Sequence, residues 1–214
     1  MLDKSVEFKN IIMRIESDTL NAAAFPKLPD GFSFRLFDGI SDIKAWCRIE
    51  ASVLEFDSEF EAETFFTKAY MPYCDRLKER CLFVVDQTGV PVATATAWFA
   101  DSELGHQASL HWVAVCPEYQ GLGIGKAIVQ KCFNLFRDLE PNCDVWLHTQ
   151  TWSHVAIRMY HALGFNILKE DRLANENTRH GDMKIYGNDF LQAMNILQQI
   201  VPLEVFRKLA TTAV

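Results

Sequence analysis

The sequence lacks the closely spaced cysteines of a disulfide scaffold or a zinc ribbon. Its six cysteines are scattered, and none forms a CxxC pair. Small secreted domains and structural zinc sites both depend on such spacing. We therefore expect free thiols, most of them buried, in a reducing compartment. The histidines do not combine with the cysteines at a recognisable zinc spacing either, so no metal is predicted; the four considered are His106, His154, His161 and His180.

Long apolar runs and an excess of basic residues are also missing. No stretch of about 18 uncharged apolar residues occurs, and the first residues lack the continuous apolar segment of a signal peptide. The chain has 21 basic and 28 acidic residues, a net charge of −7. Binding to nucleic acid or to an anionic membrane needs a cationic surface. We expect a cytoplasmic protein with neither partner, whose charge suits a cationic small-molecule acceptor.

What the chain does have is the composition of a globular protein, with a length that allows one sizeable core or at most two small ones. Hydrophobic residues make up 49% and charged residues 23% of its 214 residues, which excludes disorder, collagen and coiled coil. The turn-rich stretch 25–31 marks the start of the regular fold. We predict a leader over residues 1–31 that packs on the domain, a domain over 32–187, and a helical extension over 188–214 interrupted at Pro202.

The apolar patterns within the domain predict alternating strands and helices. Helices are expected after Ser41 and Ser58 as N-caps, from Ile124 to Leu139, and from about Ser153 to Leu163, with Gly164 just beyond its end. The predicted strands are 32–36, 81–85, 90–99, 109–115, 145–149, 165–169 and 183–186. This order indicates a mixed α/β fold with helices packed on a sheet.

An acid-dense patch opens the helix after Ser58. It consists of Glu55, Asp57, Glu59, Glu61 and Glu63. Carboxylates are favoured by the positive end of a helix dipole, which explains the patch without any ligand. Alternatively, Glu50, Glu55 and Asp57 attract a cationic acceptor from the border of a cleft. The sequence leaves both interpretations open.

The most informative segment is a glycine-rich turn between a predicted strand and a helix, residues 115–126. Glycines at 121, 123 and 125 let the backbone curl so that several N–H groups point at one spot near a helix N-terminus. A phosphate or diphosphate is the expected guest, and a tight turn that binds nothing is the alternative. A GxGxxG fingerprint fails because Lys126 occupies its last glycine position. A Walker A loop fails because Ala127 follows Lys126.

Two motifs resemble one known family. Gln120-x-x-Gly123-x-Gly125, after a strand ending in Val115-x-Pro117, resembles the acetyl-CoA motif of the GNAT superfamily of N-acetyltransferases. The run Ala156-Ile157-x-x-Tyr160-x-x-Leu163-Gly164-Phe165 is similar to that family's later helix and next strand. The resemblance covers about residues 32–187. It implies a mixed, largely antiparallel central sheet flanked by helices, with splayed central strands.

The resemblance also implies where acetyl-CoA binds and CoA is left as product. Amides of the turn would hold the diphosphate, with Gln120 shaping the start of the turn, and the backbone of the preceding strand would hold the pantetheine arm like an added strand. The Val113 N–H would face the thioester carbonyl. Lys126 either adds charge or is a solvated side chain, and Ser153 stands where many relatives have a cofactor-binding asparagine. The predicted cofactor residues are Val113, Ala114, Val115, Gln120, Gly121, Leu122, Gly123, Ile124, Gly125, Lys126 and Ser153.

Catalysis needs a way to remove a proton from the amine and to protonate the departing thiolate. Tyr160 matches the family's acid, because a phenol stays protonated at neutral pH; packing on a helix face is the alternative. Some members place a glutamate where this chain has Ser109, so His111, on the same predicted strand face as Ser109 and Val113, is the candidate base. A hydrogen-bonded histidine without that role is the alternative.

The polar and aromatic end of the strand at 145–149 supplies the predicted acceptor-binding residues, His148, Gln150 and Trp152; a structural network is the alternative. The leading hypothesis is direct attack of a primary amine, on a small molecule, on acetyl-CoA in a ternary complex. A protein N-acetyltransferase and a non-catalytic acyl-CoA-binding module are the rivals. The helical extension would either cover the cleft or form a homodimer interface.

Overall fold

The computed structural model describes residues 2–177 and 183–214. His180 lies outside these residues. The strands are β1 (Asn10–Ile15), β2 (Ser33–Leu36), β3 (Cys81–Val85), β4 (Pro91–Ser102), β5 (Gly105–Val115), β6 (Val145–Gln150), β7 (Asn166–Ile167), β8 (Leu173–Asn177) and β9 (Met183–Tyr186). The helices are α1 (Ser17–Ala22), α2 (Ile40–Ser52), α3 (Glu59–Ala69), α4 (Cys74–Arg80), α5 (Ile124–Leu139), α6 (His154–Ala162), α7 (Phe190–Ile200) and α8 (Leu203–Thr212).

The strands form one seven-stranded sheet and one separate pair. The hydrogen-bonded order of the large sheet is β2-β3-β4-β5-β6-β1-β7, and β8 pairs with β9. The ladders β1–β6, β1–β7, β2–β3 and β3–β4 are antiparallel, whereas β5 and β6 run parallel. The predicted fold class, a mixed and largely antiparallel sheet flanked by helices, is confirmed.

The contacts divide the chain into two compact units. The first contains 24–98 and 110–139, and the second contains 2–23, 99–109 and 140–214. Strands β4 and β5 contribute residues to both units. The division differs from the leader, domain and extension predicted from sequence, which remain a prediction.

The first unit has an aromatic core. Trp46 of α2, Phe66 of α3 and Phe83 of β3 are all fully buried. Of the predicted apolar stripe of α5, Ile124, Ile128 and Phe136 are buried. Leu135 and Leu139 are half-buried. Burying such side chains is the main source of stability of a unit of this size.

The second unit is organised around β1, which the sequence analysis placed in a leader. This strand pairs with β6 from Asn10 to Ile15 and with β7 at Met13 and Arg14. The run Ile11–Met13 is fully buried. Because neighbouring residues are buried on both faces of the sheet, the strand shows a continuous apolar run and not an alternation. That is why its pattern was missed.

Several predicted ends are confirmed and one is wrong. Ser58 caps α3, and its side chain accepts a hydrogen bond from the Glu61 amide at 3.2 Å. Gly39, and not Ser41, is the N-cap of α2. Gly164 has a φ of 106° just beyond α6, and Pro202 separates α7 from α8, as predicted. All six cysteines are free, as predicted.

Candidate active site

The glycine turn begins where β5 ends and leads directly into α5. Gly121 and Gly123 have φ angles of 80° and 84°, in the left-handed region that other residues rarely adopt. A Cβ added at either position would meet nothing within 4 Å. These glycines are therefore required by the path of the backbone and not by close packing, and they leave open space beside it.

The start of α5 gives this turn amide donors. Helix geometry leaves the N–H groups of Ile124, Gly125 and Lys126 without intrahelical acceptors, and the first intrahelical bond runs from the Ala127 N–H to the Gly123 carbonyl at 3.1 Å. The helix is 16 residues long, so its dipole adds positive potential at this end. Leu122 is 50% exposed, which shows that the turn faces solvent. Together these features suit a bound phosphate or diphosphate.

Gln120 fixes the start of the turn. Its side-chain amide donates to the Val115 carbonyl at 2.9 Å, which joins the end of β5 to the turn. The main chain is held there by two further bonds, from Cys116 N–H to the Val92 carbonyl and from Tyr119 N–H to the Cys116 carbonyl, both at 2.9 Å. Val115 was predicted to bind the pantetheine arm, but its carbonyl already accepts the Gln120 bond.

Strand β5 extends well beyond its parallel ladder. The ladder pairs Ala108 with Val145 and Ser109 with Trp146, both within the second unit. From Leu110 to Val115 the strand belongs to the first unit and contains Val113, Ala114 and Val115, the predicted backbone donors and acceptors. Ala114 is buried, whereas Val113 and Val115 are half-buried.

The backbone of β5 is irregular at the residue directly before Val113. Trp112 has a φ of 50°, a left-handed conformation that is unusual for a bulky residue. His111 bonds to Tyr70, Trp112 packs on Trp46, and Trp46 and Tyr70 contact each other, so consecutive side chains face one aromatic cluster. Regular alternation forbids this, and the altered backbone at Trp112 allows it. The irregular residue lies between His111 and Val113, so simple alternation does not relate these two side chains, and the face that His111 shares with Ser109 stays a prediction.

His111 is a buried, hydrogen-bonded histidine. It is 5% exposed, and its Nδ1 lies 3.0 Å from the hydroxyl of Tyr70, which is 2% exposed. The two residues can share a proton between ring nitrogen and phenol oxygen. This contact favours the alternative that the sequence left open, and the role of His111 as the base remains a prediction.

The sequence analysis missed the setting of Glu50. This residue of α2 is only 1% exposed, and its Oε1 has no hydrogen-bond partner among the described residues. Burial, with a smaller effect of Glu55, raises the pKa of its carboxyl well above the ordinary value. Sequence alone placed Glu50 at the border of a cleft, because a charged residue gives no signal of burial without its partners.

Tyr160 and Ser153 lie in the second unit. Tyr160 is 7% exposed on α6, and its ring packs edge-on against Phe165 at 6.0 Å. Ser153 occupies the N-cap position of α6, but its side chain makes no capping bond. The catalytic role of Tyr160 and the cofactor contact of Ser153 remain predictions from the motif.

The predicted acceptor residues of the second unit are partly engaged in local bonds. The His148 ring stacks on Tyr186 at 3.9 Å, and its Nε2 lies 2.9 Å from the Asn10 side-chain oxygen. The Trp152 indole donates to the Val6 carbonyl at 2.6 Å. Gln150 ends β6, pairs with Asn10 and is half-buried. These contacts fit the structural network that sequence left as the alternative, and substrate binding by all three remains a prediction.

Within the described ranges, no group of three His, Cys, Asp or Glu side chains could hold a metal ion. No helix in those ranges is long and apolar enough to cross a membrane.

Comparison with known proteins gives a consistent family assignment. The model of the "Acetyltransferase (GNAT) family" matches residues 44–165, which include the glycine turn and α6. No curated protein matches the chain.

Solved structures show the same fold at low sequence identity. A GCN5-related N-acetyltransferase from Sphaerobacter thermophilus is 22% identical over 76% of this chain and 49% of its own, with a TM-score of 0.59. A GNAT-family acetyltransferase from Colwellia psychrerythraea is 13% identical over 75% and 54%, with a TM-score of 0.54. A tandem GNAT protein from the clavulanic acid biosynthesis pathway is 18% identical over 73% and 49%, with a TM-score of 0.53. The chain thus spans about half the length of the structures that it matches.

Proposed function

The chain belongs to the acetyltransferase (GNAT) family, and from this premise we propose that it moves an acetyl group from acetyl-CoA to a primary amine of a small molecule. Both substrates would be bound together, and the amine would attack directly. The main observation behind the proposal is the turn at Gly121 and Gly123. These two glycines have left-handed backbone and precede the first N–H groups of α5, which lack intrahelical acceptors. Free and mostly buried thiols suit a reducing compartment, so we also propose a cytoplasmic location.

The residues of the turn fit the diphosphate of the cofactor. The space where a Cβ at either glycine would lie is open, so a ligand can approach the main chain closely. Ile124, Gly125 and Lys126 would donate their N–H groups to phosphate oxygens, and the Lys126 side chain, which is exposed, would add a positive charge. When bound, acetyl-CoA supplies the acetyl group as a thioester.

The chain's own groups would polarise the acetyl carbonyl and handle protons. The Val113 N–H follows the left-handed Trp112, so its direction is set by a backbone conformation that the packing of Trp112 holds in place. One oriented donor of this kind is worth about 3 kcal/mol when negative charge develops on the carbonyl oxygen. The Tyr160 hydroxyl would give its proton to the leaving sulfur, and the His111–Tyr70 pair would accept the proton that the amine loses.

The proposal is tested by comparing two glycine variants. Gly123 and Gly89 both have a φ of 84°, and an added Cβ would meet nothing within 4 Å at either position. Gly123→Ala and Gly89→Ala should therefore cost similar stability, about 1–2 kcal/mol, because alanine is strained in the left-handed region. Only Gly123→Ala should weaken CoA binding, by about tenfold or more in calorimetry.

Equal CoA affinity of the two variants, or no saturable binding of CoA to the folded wild type, would contradict the proposed site. Release of CoA from acetyl-CoA in the presence of an amine panel separates a transferase from a binding module. A protein that binds CoA but shows no amine-dependent release would be the non-catalytic module.

A further inference from the structure

Three aromatic side chains of the first unit surround Trp112, the residue before Val113. The Trp112 ring lies 4.9 Å from Phe65, 5.3 Å from Phe56 and 5.5 Å from Trp46, measured between ring centroids. We call Trp46, Phe56, Phe65 and Trp112 the aromatic wall. Trp112 is bonded to Val113, so a group packed on this ring lies close to the amide proposed to meet the acetyl carbonyl.

The aromatic wall is only partly covered by the protein. Trp46 is fully buried, whereas Phe56, Phe65 and Trp112 are half-buried and pack at the margin of the core. Apolar side chains that remain accessible beside polar main-chain groups are typical of small-molecule sites. Their rings offer flat surfaces on which another ring can stack or pack edge-on.

Two buried polar atoms of α2 accompany the aromatic wall. Neither the Trp46 Nε1 nor the Glu50 Oε1 has a hydrogen-bond partner among the described residues, although the side chains are 0% and 1% exposed. Positions 46 and 50 are four apart on one helix and so lie on the same face. Buried polar atoms are nearly always paired, so the Glu50 oxygen is available to accept a hydrogen bond from a water molecule or from a ligand.

The protonation state of the Glu50 carboxyl indicates which kind of ligand nitrogen it could bind. Burial raises its pKa, which favours the neutral acid, and a neutral acid attracts an ammonium ion less than a carboxylate does. The Oε1 of a neutral carboxyl still accepts a hydrogen bond. This setting suits an uncharged amine on an apolar body better than an aliphatic polycation. The acid patch around Glu55 and Asp57 provides attraction for the charged form before it binds.

Building on the proposed transferase activity, we propose that the acceptor is a primary amine carried on an aromatic group, which packs on the aromatic wall while its nitrogen donates a hydrogen bond to Oε1 of Glu50. In the reaction the N–C bond to the acetyl carbon forms and the C–S bond breaks. The nitrogen loses one proton, and the sulfur of CoA gains one. A neutral amine and acetyl-CoA thus give an amide and CoA.

The test uses the full chain with saturating acetyl-CoA and measures thiol release with three amines. These are 2-phenylethylamine, 2-cyclohexylethylamine and spermidine. The first two have the same chain length and charge and differ in having a flat aromatic or a puckered saturated ring. We therefore expect kcat/KM to be about tenfold higher for 2-phenylethylamine than for either of the others. Equal or greater values for 2-cyclohexylethylamine or spermidine would overturn the aromatic acceptor while leaving the transferase intact.

Two variants of one helix supply the matched control. Phe65 belongs to the aromatic wall, whereas Phe60 of α3 is 77% exposed. Phe65→Leu should reduce the preference for the phenyl over the cyclohexyl amine to less than about threefold, and Phe60→Leu should leave it unchanged. An unchanged preference in Phe65→Leu, on protein with a native circular dichroism spectrum, would remove the aromatic wall from the site.

Glu50 is tested separately because its loss could disturb folding. Glu50→Gln keeps an acceptor oxygen and should retain KM for 2-phenylethylamine within about threefold, whereas Glu50→Leu should raise it about tenfold or more. Equal KM values in the two folded variants would remove Glu50 from the proposal.

If no amine releases CoA although CoA binds, the proposed function fails. In that case, saturable quenching of tryptophan fluorescence by 2-phenylethylamine but not by 2-cyclohexylethylamine would still support the aromatic site. If 2-phenylethylamine causes no saturable quenching, the aromatic site is rejected as well.

Discussion

Trp112 holds a backbone conformation that costs about 1–2 kcal/mol for a residue with a side chain. The contacts of its ring with Trp46, Phe56 and Phe65 offset that cost. The same conformation lets the side chain of the preceding residue, His111, bond to Tyr70 in the same aromatic cluster. One residue therefore links the strain in β5, the packing of the aromatic wall and the direction of the Val113 amide. No feature of the sequence pattern indicates this bend, because tryptophan has no preference for left-handed backbone.

Tyr160→Phe removes one hydroxyl and keeps the ring that packs on Phe165. We expect kcat to fall by about 10²-fold or more, because a positioned general acid contributes that much, while the affinity for CoA changes little. Steady-state release of CoA and calorimetry measure the two quantities. A variant with full kcat would remove Tyr160 from catalysis and leave the ring with a packing role.

His148 should make the second unit sensitive to acid. Burial of the ring, with a smaller effect of Lys184, lowers the pKa of His148 to about 4. The unfolded chain takes up its proton near pH 6.5, so stability is full above that pH and falls as pH drops towards 4. Between pH 7.5 and 5.5 the wild type should lose about 1 kcal/mol more unfolding free energy in urea than His148→Gln does. Equal losses, or an NMR titration of His148 near 6.5, would contradict this.

Among the secondary-structure elements, α3 offers a direct test of capping. The Ser58 side chain accepts from the Glu61 amide, whereas Ser41 lies inside α2 and makes no capping contact for it. Ser58→Ala should therefore lower the unfolding free energy by about 1 kcal/mol. The control Ser41→Ala, also on an exposed position, should change it by less than about 0.5 kcal/mol. Chemical denaturation measures both, and similar losses would show that the cap contributes nothing particular.

The elements that were predicted well from sequence have one of two local signals, an apolar pattern or a set of closely spaced glycines. Strand β3 and helix α5 have clear apolar patterns, and the turn between β5 and α5 has its glycines. Strand β1 and helix α4 were missed. The strand's apolar run lacks alternation, and the helix, at seven residues, is too short to show a clear apolar period. In the candidate site, sequence located the glycine turn that we propose binds the cofactor, but not the buried state of Glu50 or the bond between Tyr70 and His111. Those depend on contacts between positions far apart in the chain.

At the scale of the whole molecule, β1, which lies in the predicted leader, is part of the second unit's sheet. Strand β1 lies between β6 and β7, and removing it would leave both strands without that partner. We expect a fragment of residues 24–214 to lose the cooperative unfolding of the second unit, since unpaired buried backbone groups are costly. Circular dichroism and hydrogen exchange at β6 amides would report the loss.

Adding a peptide of residues 1–23 should restore protection of those amides. A control peptide with Ile12→Asp and Ile15→Asp, two fully buried positions, should not. If residues 24–214 alone melt with the same midpoint and cooperativity as the full chain, β1 is dispensable.

The position of β1 also affects the order of events during synthesis. Asn10 is translated 140 positions before its partner Gln150. At about 5–20 residues per second, a newly made β1 waits roughly ten to thirty seconds on the ribosome for the strand that receives it. During that interval Ile11, Ile12 and Met13 are exposed, and a chaperone that shields short apolar segments near the exit tunnel would improve the yield of native protein.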